Sequence, residues 1–256
     1  MKTINQPLVI AILGKGGVGK SIITTLMAKT ISLDHNYKLL LIDADPTHPH
    51  LSKMVKLTPE KSIEDLRGDL INSILNKPKS SDTIAEQIDF DVYNAIVESK
   101  QFSLFSIGQP EGPGCFCPSN TILRKVIESI SKDFDIVLID CEAGLEIVNR
   151  LVIQKVDIIL IVTDLSIRGI DTAESIRSSA EKFTNYKKMG IIVNKIKGDI
   201  SSIIEKLKEL NFEVIGLVPE DENIIGFDLK GRPIIDLPMD SKSYLTVKKI
   251  VDNLIN

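Results

Sequence analysis

The sequence predicts an α/β fold, a doubly wound and mostly parallel sheet with helices on both faces, within one domain that spans residues 1–256. Two observations carry this prediction. Short apolar runs of strand length alternate with longer segments of helical periodicity, which is the pattern of βαβ units. The short runs are also apolar at consecutive positions, as expected for strands that are buried on both faces of a parallel sheet.

The boundaries of these elements follow from the periodicity and from the Gly, Pro and polar breaks between them. The predicted strands are 8–13, 38–45, 102–107, 135–140, 158–162, 191–194 and 214–218. The predicted helices are 22–33, 63–75, 84–97, 171–183, 200–210 and a final amphipathic helix from Tyr244. The region from Pro46 to Lys100 is less regular, and we interpret it as an excursion between strands.

The first strand is followed at once by a glycine-rich turn, GKGGVGKS, from Gly14 to Ser21. This turn matches the phosphate-binding pattern G-x-x-x-x-G-K-[ST] and lies between a predicted strand and a predicted helix, as that motif requires. Glycine lets backbone N–H groups surround a phosphate, Lys20 adds positive charge, and Ser21 offers a Mg²⁺ ligand. The predicted nucleotide contacts are Gly14, Lys15, Gly16, Gly17, Val18, Gly19, Lys20, Ser21 and Ile22.

Two other predicted strands end in aspartate. One ends in Asp43 and Asp45, whose spacing places both carboxylates on one face, and another ends in Asp140. Ligands bind at strand ends in such sheets, and a carboxylate beside a triphosphate serves Mg²⁺ or the attacking water. We predict that Asp140 holds a Mg²⁺-bound water. For Asp43 and Asp45, a turn-capping role before Pro46 is the alternative.

A Gly/Pro-rich run from Gly108 to Asn120 contains Cys115 and Cys117. Gly and Pro disfavour helix and strand, so we predict a loop that presents both thiols, with Ser119 available to cap the next helix. A C-x-C pair supplies two soft ligands, whereas Zn²⁺ or square-planar Ni²⁺ takes about four, so a second chain would have to complete the site. A pair of structural thiols that bind no metal is the alternative.

Two smaller features allow more than one interpretation. Cys141 is either a small buried hydrophobe or a thiol that senses or relays a metal. His48 and His50 flank Pro49 and form half of a metal site at most, so a polar loop is the preferred interpretation.

Composition restricts the possible partners. The chain is 43% hydrophobic and 26% charged, which is typical of soluble globular proteins, and its net charge of −4 argues against a nucleic-acid partner. No apolar run approaches the ~18–20 residues of a membrane span, and the N-terminus lacks a signal-peptide pattern. We therefore expect a cytoplasmic protein that does not bind membranes. Its three cysteines favour thiol or metal chemistry over disulfides.

The loop from Gly14 to Ser21 resembles, residue for residue, the G-K-G-G-x-G-K-[ST] loop of the deviant-Walker-A family. That family includes MinD, ParA, the nitrogenase iron protein and the CooC nickel-insertion ATPases. The resemblance implies that Lys15 reaches the nucleotide of a second subunit, hence an ATP-dependent homodimer. It also implies that Asp43 supports the Mg²⁺ shell and that Asp45 positions or activates the attacking water. Gly144 corresponds to the glycine of the family's D-x-x-x-G motif, which turns its N–H toward the γ-phosphate.

Two segments resemble the CooC group in particular. EGPGCFCPSN, residues 111–120, is similar to the C-x-C loop of these proteins, and Asp140 to Glu146 is similar to their D-x-E-A-G-L-E. This resemblance implies that Cys115 and Cys117 of two chains hold one nickel or zinc ion. It further implies that ATP hydrolysis is coupled to nickel insertion into an apoenzyme such as carbon monoxide dehydrogenase or acetyl-CoA synthase.

The base-binding residues are also implied by the resemblance. Asn194, followed by Lys195, is similar to the family position that hydrogen-bonds adenine, and Pro219, Glu220 and Asp221 are similar to the base-side loop. Lys197 stands where a guanine-reading aspartate is usual, which favours ATP over GTP. A plain turn is the alternative for Asn194.

Two rival functions remain at this point. One is a MinD-like positioning ATPase, in which the apolar stripe of the final helix anchors the protein to a membrane. The stripe contains Tyr244, Leu245, Val247, Ile250, Val251 and Leu254. The other is an electron-transfer ATPase with a [4Fe–4S] cluster between subunits, which the spacing of Cys115, Cys117 and Cys141 fits poorly.

Overall fold

In a computed structural model of the chain, the structure describes residues 6–45, 50–62, 65–66, 93–108, 128, 130–141 and 156–255. Within these ranges, one sheet has eight strands in the order β3-β4-β2-β5-β1-β6-β7-β8. The strands are β1 Leu8–Gly14, β2 Leu39–Ala44, β3 Val97–Glu98, β4 Ser103–Ser106, β5 Ile136–Cys141, β6 Ile158–Thr163, β7 Lys188–Ile196 and β8 Val214–Pro219. Every neighbouring pair is parallel except β3 and β4, so the predicted fold class is confirmed.

Helices cover both faces of this sheet. In the described ranges they are α1 Lys20–Asp34, α2 His50–Val55, α3 Ile167–Phe183, α4 Ser201–Glu209, α5 Glu222–Leu229 and α6 Lys242–Ile255, with a 3-10 turn at Ile234–Asp236. Along β1, Ile10 and Ile12 pack in the apolar layer that includes residues of α1 and α6. Ala11 and Leu13 pack in the layer that includes residues of α3 and α4. Successive strand residues therefore enter opposite layers, which explains why the strands contain runs of consecutive apolar residues.

The strand order brings the predicted site residues to one edge of the sheet. Asp43 on β2 is in register with Asp140 on β5, and Asp140 is in register with Ile12 on β1. Gly14, at the end of β1, is in register with Val162 on β6. Since the carboxyl ends of parallel strands meet at the same edge, the phosphate loop starts beside both aspartates.

Several boundaries differ from those predicted. The helix predicted from Asp171 begins at Ile167, because the Ser166 side chain caps it by accepting the N–H of Gly169 at 3.0 Å. The helix predicted over 84–97 does not extend to its end, because Val97 pairs with Leu104 as part of β3. The short helices α2 and α5 and the 3-10 turn were not predicted, since segments of that length have too few residues for periodicity to show.

The final helix packs its apolar stripe against the rest of the chain. Tyr244, Val247, Ile250 and Val251 are buried, and α6 contacts both α1 and β8. The contact with β8 is close at Gly216, where a Cβ would lie 2.1 Å from Cδ1 of Ile250, so the Ile250 side chain would have to shift. Most of the stripe is thus part of the core, although Leu245 is 46% exposed. Among the described residues, no helix combines the length and apolarity that a membrane crossing requires.

Candidate nucleotide site

The phosphate loop requires glycine at two positions. Gly14 has φ 147°, and a Cβ there would lie 2.1 Å from the carbonyl oxygen of Val162. Gly19 has φ 96°, and a Cβ there would lie 2.5 Å from Nδ2 of Asn194. Gly19 is the N-cap residue of α1, and because glycine has no side chain, the N–H groups of the first turn receive no side-chain cap from it. This helix N-terminus therefore offers backbone N–H groups and its positive end to an anion.

The carbonyl groups of the same loop are engaged by side-chain donors. The bonds run from Lys20 Nζ to Lys15 O (3.3 Å), from Asn194 Nδ2 to Val18 O (2.9 Å) and from Lys195 Nζ to Gly17 O (2.8 Å). Carbonyl oxygens repel a phosphate, but each of these three carbonyl oxygens is hydrogen-bonded to a side-chain donor. This arrangement favours an anion on the N–H side of the loop.

A break in strand geometry lets two consecutive residues of β7 reach the loop. Neighbouring strand residues normally point to opposite faces. Lys195 has φ 58°, and the β7–β8 register is irregular between Val193 and Ile196. The alternation is interrupted there, so both Asn194 and Lys195 contact the phosphate loop. The prediction placed Asn194 on adenine, and the structure adds that its amide group supports the loop itself.

Asp43 and Asp140 form a buried acidic pair on the α1 face of the sheet. Each is 1% exposed, and they occupy register positions on neighbouring strands. Burial raises the pKa of Asp43 to about 7, and the charge of Asp140 adds to the effect. Burial also raises the pKa of Asp140 to about 6, although bonds from Ser21 and Thr24 and the charge of Lys20 oppose it. The positive charge near the pair, from Lys20, therefore does not offset the effect of burial.

This donor set fits Mg²⁺. The Ser21 hydroxyl and the two carboxylates offer hard oxygen ligands, which Mg²⁺ prefers. Asp43 Oδ1 accepts the N–H of Asp45 at 3.3 Å, whereas its Oδ2 is buried and has no hydrogen-bond partner within the described ranges. A buried carboxylate oxygen without a partner costs free energy. A nearby cation, or water bound to it, would offset that cost.

The raised pKa of Asp43 predicts that the protein without nucleotide loses stability as the pH rises. Aspartate in an unfolded chain has a pKa of about 3.9, whereas in the folded protein that of Asp43 is about 7. Between these values the folded state binds more protons than the unfolded state, so the free energy of unfolding falls as the pH rises. Urea unfolding at about pH 5 and about pH 8, without nucleotide or Mg²⁺, measures the effect.

The matched variant is Asp43→Asn, which keeps the shape of the side chain and cannot ionise. It should lose much of the pH dependence and should exceed the wild type in stability at about pH 8 by roughly 1–3 kcal/mol, the usual cost of a poorly compensated buried polar group. The same pH dependence in both proteins would contradict the assignment to Asp43.

Asp45 and Lys15 lie at the rim of this site. Asp45 follows β2, is partly exposed, and acts electrostatically on both Asp43 and Asp140. Lys15 is also partly exposed, and its charge acts on Asp164, which follows β6. Although burial raises the pKa of Asp164, bonds from the Ser166 hydroxyl and N–H and the charge of Lys15 hold it below its usual value. The structure thus brings Asp45 to the acidic pair.

Pro219 and Glu220 lie at the end of β8, next to the end of β7. The backbone N–H of Glu220 donates to the carbonyl of Ile196 at 3.0 Å. The carboxylate of Glu220 pairs with Lys197 at 3.3 Å, although both side chains are largely exposed. The predicted base-side residues are therefore near Asn194 along the same sheet edge, and Lys197 is occupied by an acidic partner.

Asp221 connects the base-side loop to the final helix. Its side chain caps α5 by accepting the N–H of Asn223 at 2.9 Å. The same carboxylate accepts the hydroxyl of Ser241 at 2.5 Å and the N–H of Ser243 at 2.9 Å. Although burial raises the pKa of Asp221, these bonds hold it below its usual value. Asp221 therefore fixes the segment after Glu220 to the start of α6.

Cys141 lies in the core. It is 0% exposed and packs in the apolar layer of α3, on the opposite face from Asp140. Burial raises the pKa of its thiol, and the charge of Asp140 adds to the effect. Since the thiolate is the form that binds metals, this environment agrees with the interpretation as a small buried hydrophobe.

Some predicted residues lie outside the described ones. They are His48, Pro49, Cys115, Cys117, Gly144 and Glu146. His50 is exposed at the start of α2. Over the described ranges, no group of three or more His, Cys, Asp or Glu side chains is arranged to hold a metal ion. The Mg²⁺ site inferred above uses fewer carboxylates, because a hydroxyl and the nucleotide phosphates supply further ligands.

Two residues at the site, Thr24 and Asp164, were missed by sequence reasoning, and Asp221 was assigned to the base-side loop without its capping role. For Thr24 a signal exists in the sequence, because Ser21 and Thr24 are three residues apart and share a helix face. For Asp221, the signal is an acidic residue directly before an apolar helical segment, which is the N-cap pattern. The contacts of Thr24 and Asp221 depend on which elements pack together, whereas Asp164 bonds to Ser166 in its own turn.

Comparison with known proteins agrees with this site. Residues 9–234 match the family model described as the CobQ/CobB/MinD/ParA nucleotide binding domain. An uncharacterized ATP-binding protein of Methanocaldococcus jannaschii is 35% identical over 252 residues, covering 97% of this chain and 99% of that protein. The carbon monoxide dehydrogenase accessory protein CooC of Rhodospirillum rubrum is 32% identical over 248 residues, covering 89% of each.

Solved structures agree in fold. The septum site-determining protein MinD of Pyrococcus horikoshii, complexed with Mg-ADP, gives a TM-score of 0.72 at 19% identity, with 98% of this chain and 97% of that chain covered. The cell division ATPase MinD of Pyrococcus furiosus gives 0.71 at 21% identity, with 97% and 98% covered. At these identities the likeness concerns the fold.

Proposed function

This chain belongs to the CobQ/CobB/MinD/ParA family of nucleotide-binding domains and is an ATPase, and from that premise we propose that it is an ATP-dependent metallochaperone. Its client would be a nickel enzyme such as carbon monoxide dehydrogenase or acetyl-CoA synthase. The observation that carries the proposal is the C-x-C segment of Cys115 and Cys117 in a chain that is 32% identical to CooC.

The residues at the sheet edge support a division of labour in ATP hydrolysis. Lys20 would neutralise phosphate charge, Ser21 and Asp140 would hold Mg²⁺, and Asp43 would support its ligand shell. Asp45, at the rim, orients the attacking water. When bound, Mg²⁺ supplies positive charge that offsets the charge developing on the phosphoryl oxygens. Such positioning and charge stabilisation account for most of the catalysis of phosphoryl transfer.

Asn194 supports the choice of adenine. It is 6% exposed, and its Nδ2 donates to Val18 O. This bond uses the donor end of the amide and leaves the side-chain oxygen as an acceptor, which suits the amino group of adenine. Lys195, Pro219 and Glu220 would line the same pocket, and Lys197 has no carboxylate with which to read guanine.

In the proposed dimer, Lys15 of each subunit reaches the nucleotide of the other. The partial exposure of Lys15 at the loop rim is compatible with such a contact. Dimerisation would also bring together two C-x-C pairs, which give the number of thiolates that a tetrahedral Zn²⁺ or square-planar Ni²⁺ site takes. The chain enters the cysteine-bearing segment directly after β4, where the N–H of Ile107 donates to Asp43 O at 2.9 Å. A route for coupling the nucleotide to the metal therefore starts at Asp43.

The experiment that tests this proposal is an anaerobic titration with Ni²⁺ or Zn²⁺, followed by size-exclusion chromatography. We expect one ion per two chains, tighter binding at higher pH because thiols must lose protons, and metal-promoted dimerisation without nucleotide. Cys115→Ala or Cys117→Ala should abolish tight binding. Cys141→Ala, which removes a thiol buried in the core, is the matched control and should bind metal as the wild type does.

Two outcomes would contradict the shared thiolate site. One is a stoichiometry of one ion per monomer, and the other is an unchanged affinity in Cys115→Ala. Either result would leave a dimeric ATPase without the metal function.

A positioning ATPase of the MinD kind is the second candidate, and the likeness in fold to MinD supports it. The burial of Tyr244, Val247 and Ile250 in the stripe disfavours this candidate. Helix α6 would have to leave α1 and β8 before that stripe could enter a membrane. Liposome sedimentation with and without ATP separates the two functions, because only the second predicts ATP-dependent membrane binding.

A further inference from the structure

Thr24 joins the phosphate-loop helix to the acidic pair. It is 0% exposed on α1, one turn after Ser21. Its Oγ1 lies 3.3 Å from Oδ1 of Asp140 and 3.0 Å from the carbonyl oxygen of Lys20. Asp140 also interacts with the Ser21 side chain. One face of α1 therefore contacts the Asp140 carboxylate through two hydroxyl groups.

The Thr24 hydroxyl has one hydrogen and two acceptors within reach. The carbonyl of Lys20 lies in the first turn of α1, where the backbone N–H of residue 24 is its ordinary helical partner. The Asp140 carboxylate is the stronger acceptor when ionised, and it is buried where water is excluded. When Asp140 is ionised, the hydrogen should therefore go to the carboxylate.

We propose that Thr24 is a positioning residue for ATP hydrolysis: its hydroxyl fixes the Asp140 carboxylate from the side of α1, so that this carboxylate and Ser21 face the nucleotide-bound metal in one orientation. The inference deepens the proposed function, because it depends on the role of Asp140 given above. Thr24 itself touches neither nucleotide nor metal. Groups that orient a metal's ligands typically contribute about 10–100-fold in metal affinity.

Thr24→Val tests this role, because valine keeps the shape of the side chain and removes the hydrogen-bond donor. By calorimetry, Mg²⁺ should strengthen the binding of a non-hydrolysable ATP analogue roughly tenfold less in the variant than in the wild type. Affinity for the analogue without Mg²⁺ should be unchanged, since the phosphate loop is intact. Turnover at saturating ATP should need a higher Mg²⁺ concentration. Thr24→Ser, which keeps the donor, should restore most of the Mg²⁺ effect.

The matched control is Thr30→Val on the same helix. Thr30 is also 0% exposed and donates to the carbonyl four residues earlier, Leu26, at 3.0 Å, but it lies further from the site. It should leave the Mg²⁺ effect unchanged. Thr24→Ala serves as a second donor-free variant if the valine variant does not fold.

The variant Asp140→Asn distinguishes an error in the role of Asp140 from an error in the role of Thr24. If Asp140→Asn keeps the full Mg²⁺ effect, the role of Asp140 is wrong, and the positioning role of Thr24 falls with it. If Asp140→Asn loses the effect while Thr24→Val and Thr24→Ala behave as the wild type does, only the inference on Thr24 is overturned. Equal losses in the valine and serine variants would also overturn it, because the hydroxyl would then be irrelevant.

Discussion

Lys20→Ala should abolish tight binding of MgATP, because the Lys20 side chain is the cation that the phosphate loop places next to the phosphates. Its amine is 3.3 Å from the carbonyl of Lys15, and the residue is only 8% exposed. The charge is thus already directed into the loop. A lost contact between lysine and a phosphate in a partly buried site corresponds to about 100-fold or more in affinity. Titration of a fluorescent ATP analogue measures the loss.

Lys15→Ala is the matched control for this experiment. It removes a lysine from the same loop, but Lys15 is expected to serve the nucleotide of the other subunit. The variant should therefore bind MgATP and fail to dimerise when ATP is added, as seen by size-exclusion chromatography. If both variants lose nucleotide affinity equally, the two lysines do not divide their roles between subunits.

Asp45→Asn should slow ATP turnover by about 100-fold or more while MgATP still binds, which is the scale of a lost general base or water-positioning group. Asp45 is suited to this role because it follows β2 at the rim, where a water next to the γ-phosphate would be accessible. The ATP-bound dimer should persist longer in the variant, since hydrolysis ends it. Single-turnover phosphate release measures the rate.

Asp43→Asn provides the comparison, because Asp43 is buried and cannot reach a water at the rim. It should alter the Mg²⁺ dependence more than the turnover at saturating Mg²⁺. Unchanged turnover in Asp45→Asn would move the water-positioning role to another residue.

The phosphate loop and the acidic strand ends were predictable because their signals are local. Gly14 to Ser21 form one continuous motif, and Asp43 and Asp140 each end an apolar strand, so the parallel fold itself brings them to one edge. The bond from Thr24 to Asp140 was not predictable in this way, because it joins residues far apart in the chain through the packing of α1 on β5. The same holds for the bonds of Asp221 to Ser241, directly before α6, and to Ser243, in its first turn.

The predicted boundaries of helices and strands differ from the observed ones where a local side-chain or backbone feature outweighs the periodicity of apolar residues. The start of α3 depends on the Ser166 cap, and the reach of Asn194 and Lys195 depends on the left-handed backbone at Lys195. Neither feature changes the pattern of apolar residues, on which the predicted boundaries were based. The final helix shows the converse: its apolar stripe was predicted correctly, and the packed structure shows that α1 and β8 cover most of it but leave Leu245 exposed.

The order of strands also has a consequence for folding. β2 lies between β4 and β5, and β1 lies between β5 and β6, so neighbours in the sheet come from distant parts of the chain. Pairing of this kind requires the closure of long loops. The entropy of closure is lost before the strand contacts form, which makes folding slow. The loop after β1, the acids of β2 and β5 and the polar end of β7 meet only when these pairings are complete. A nucleotide that contacts them all binds the finished sheet and no partial one, so it raises the free energy of unfolding by RT ln(1 + [nucleotide]/Kd), an amount that grows with nucleotide concentration.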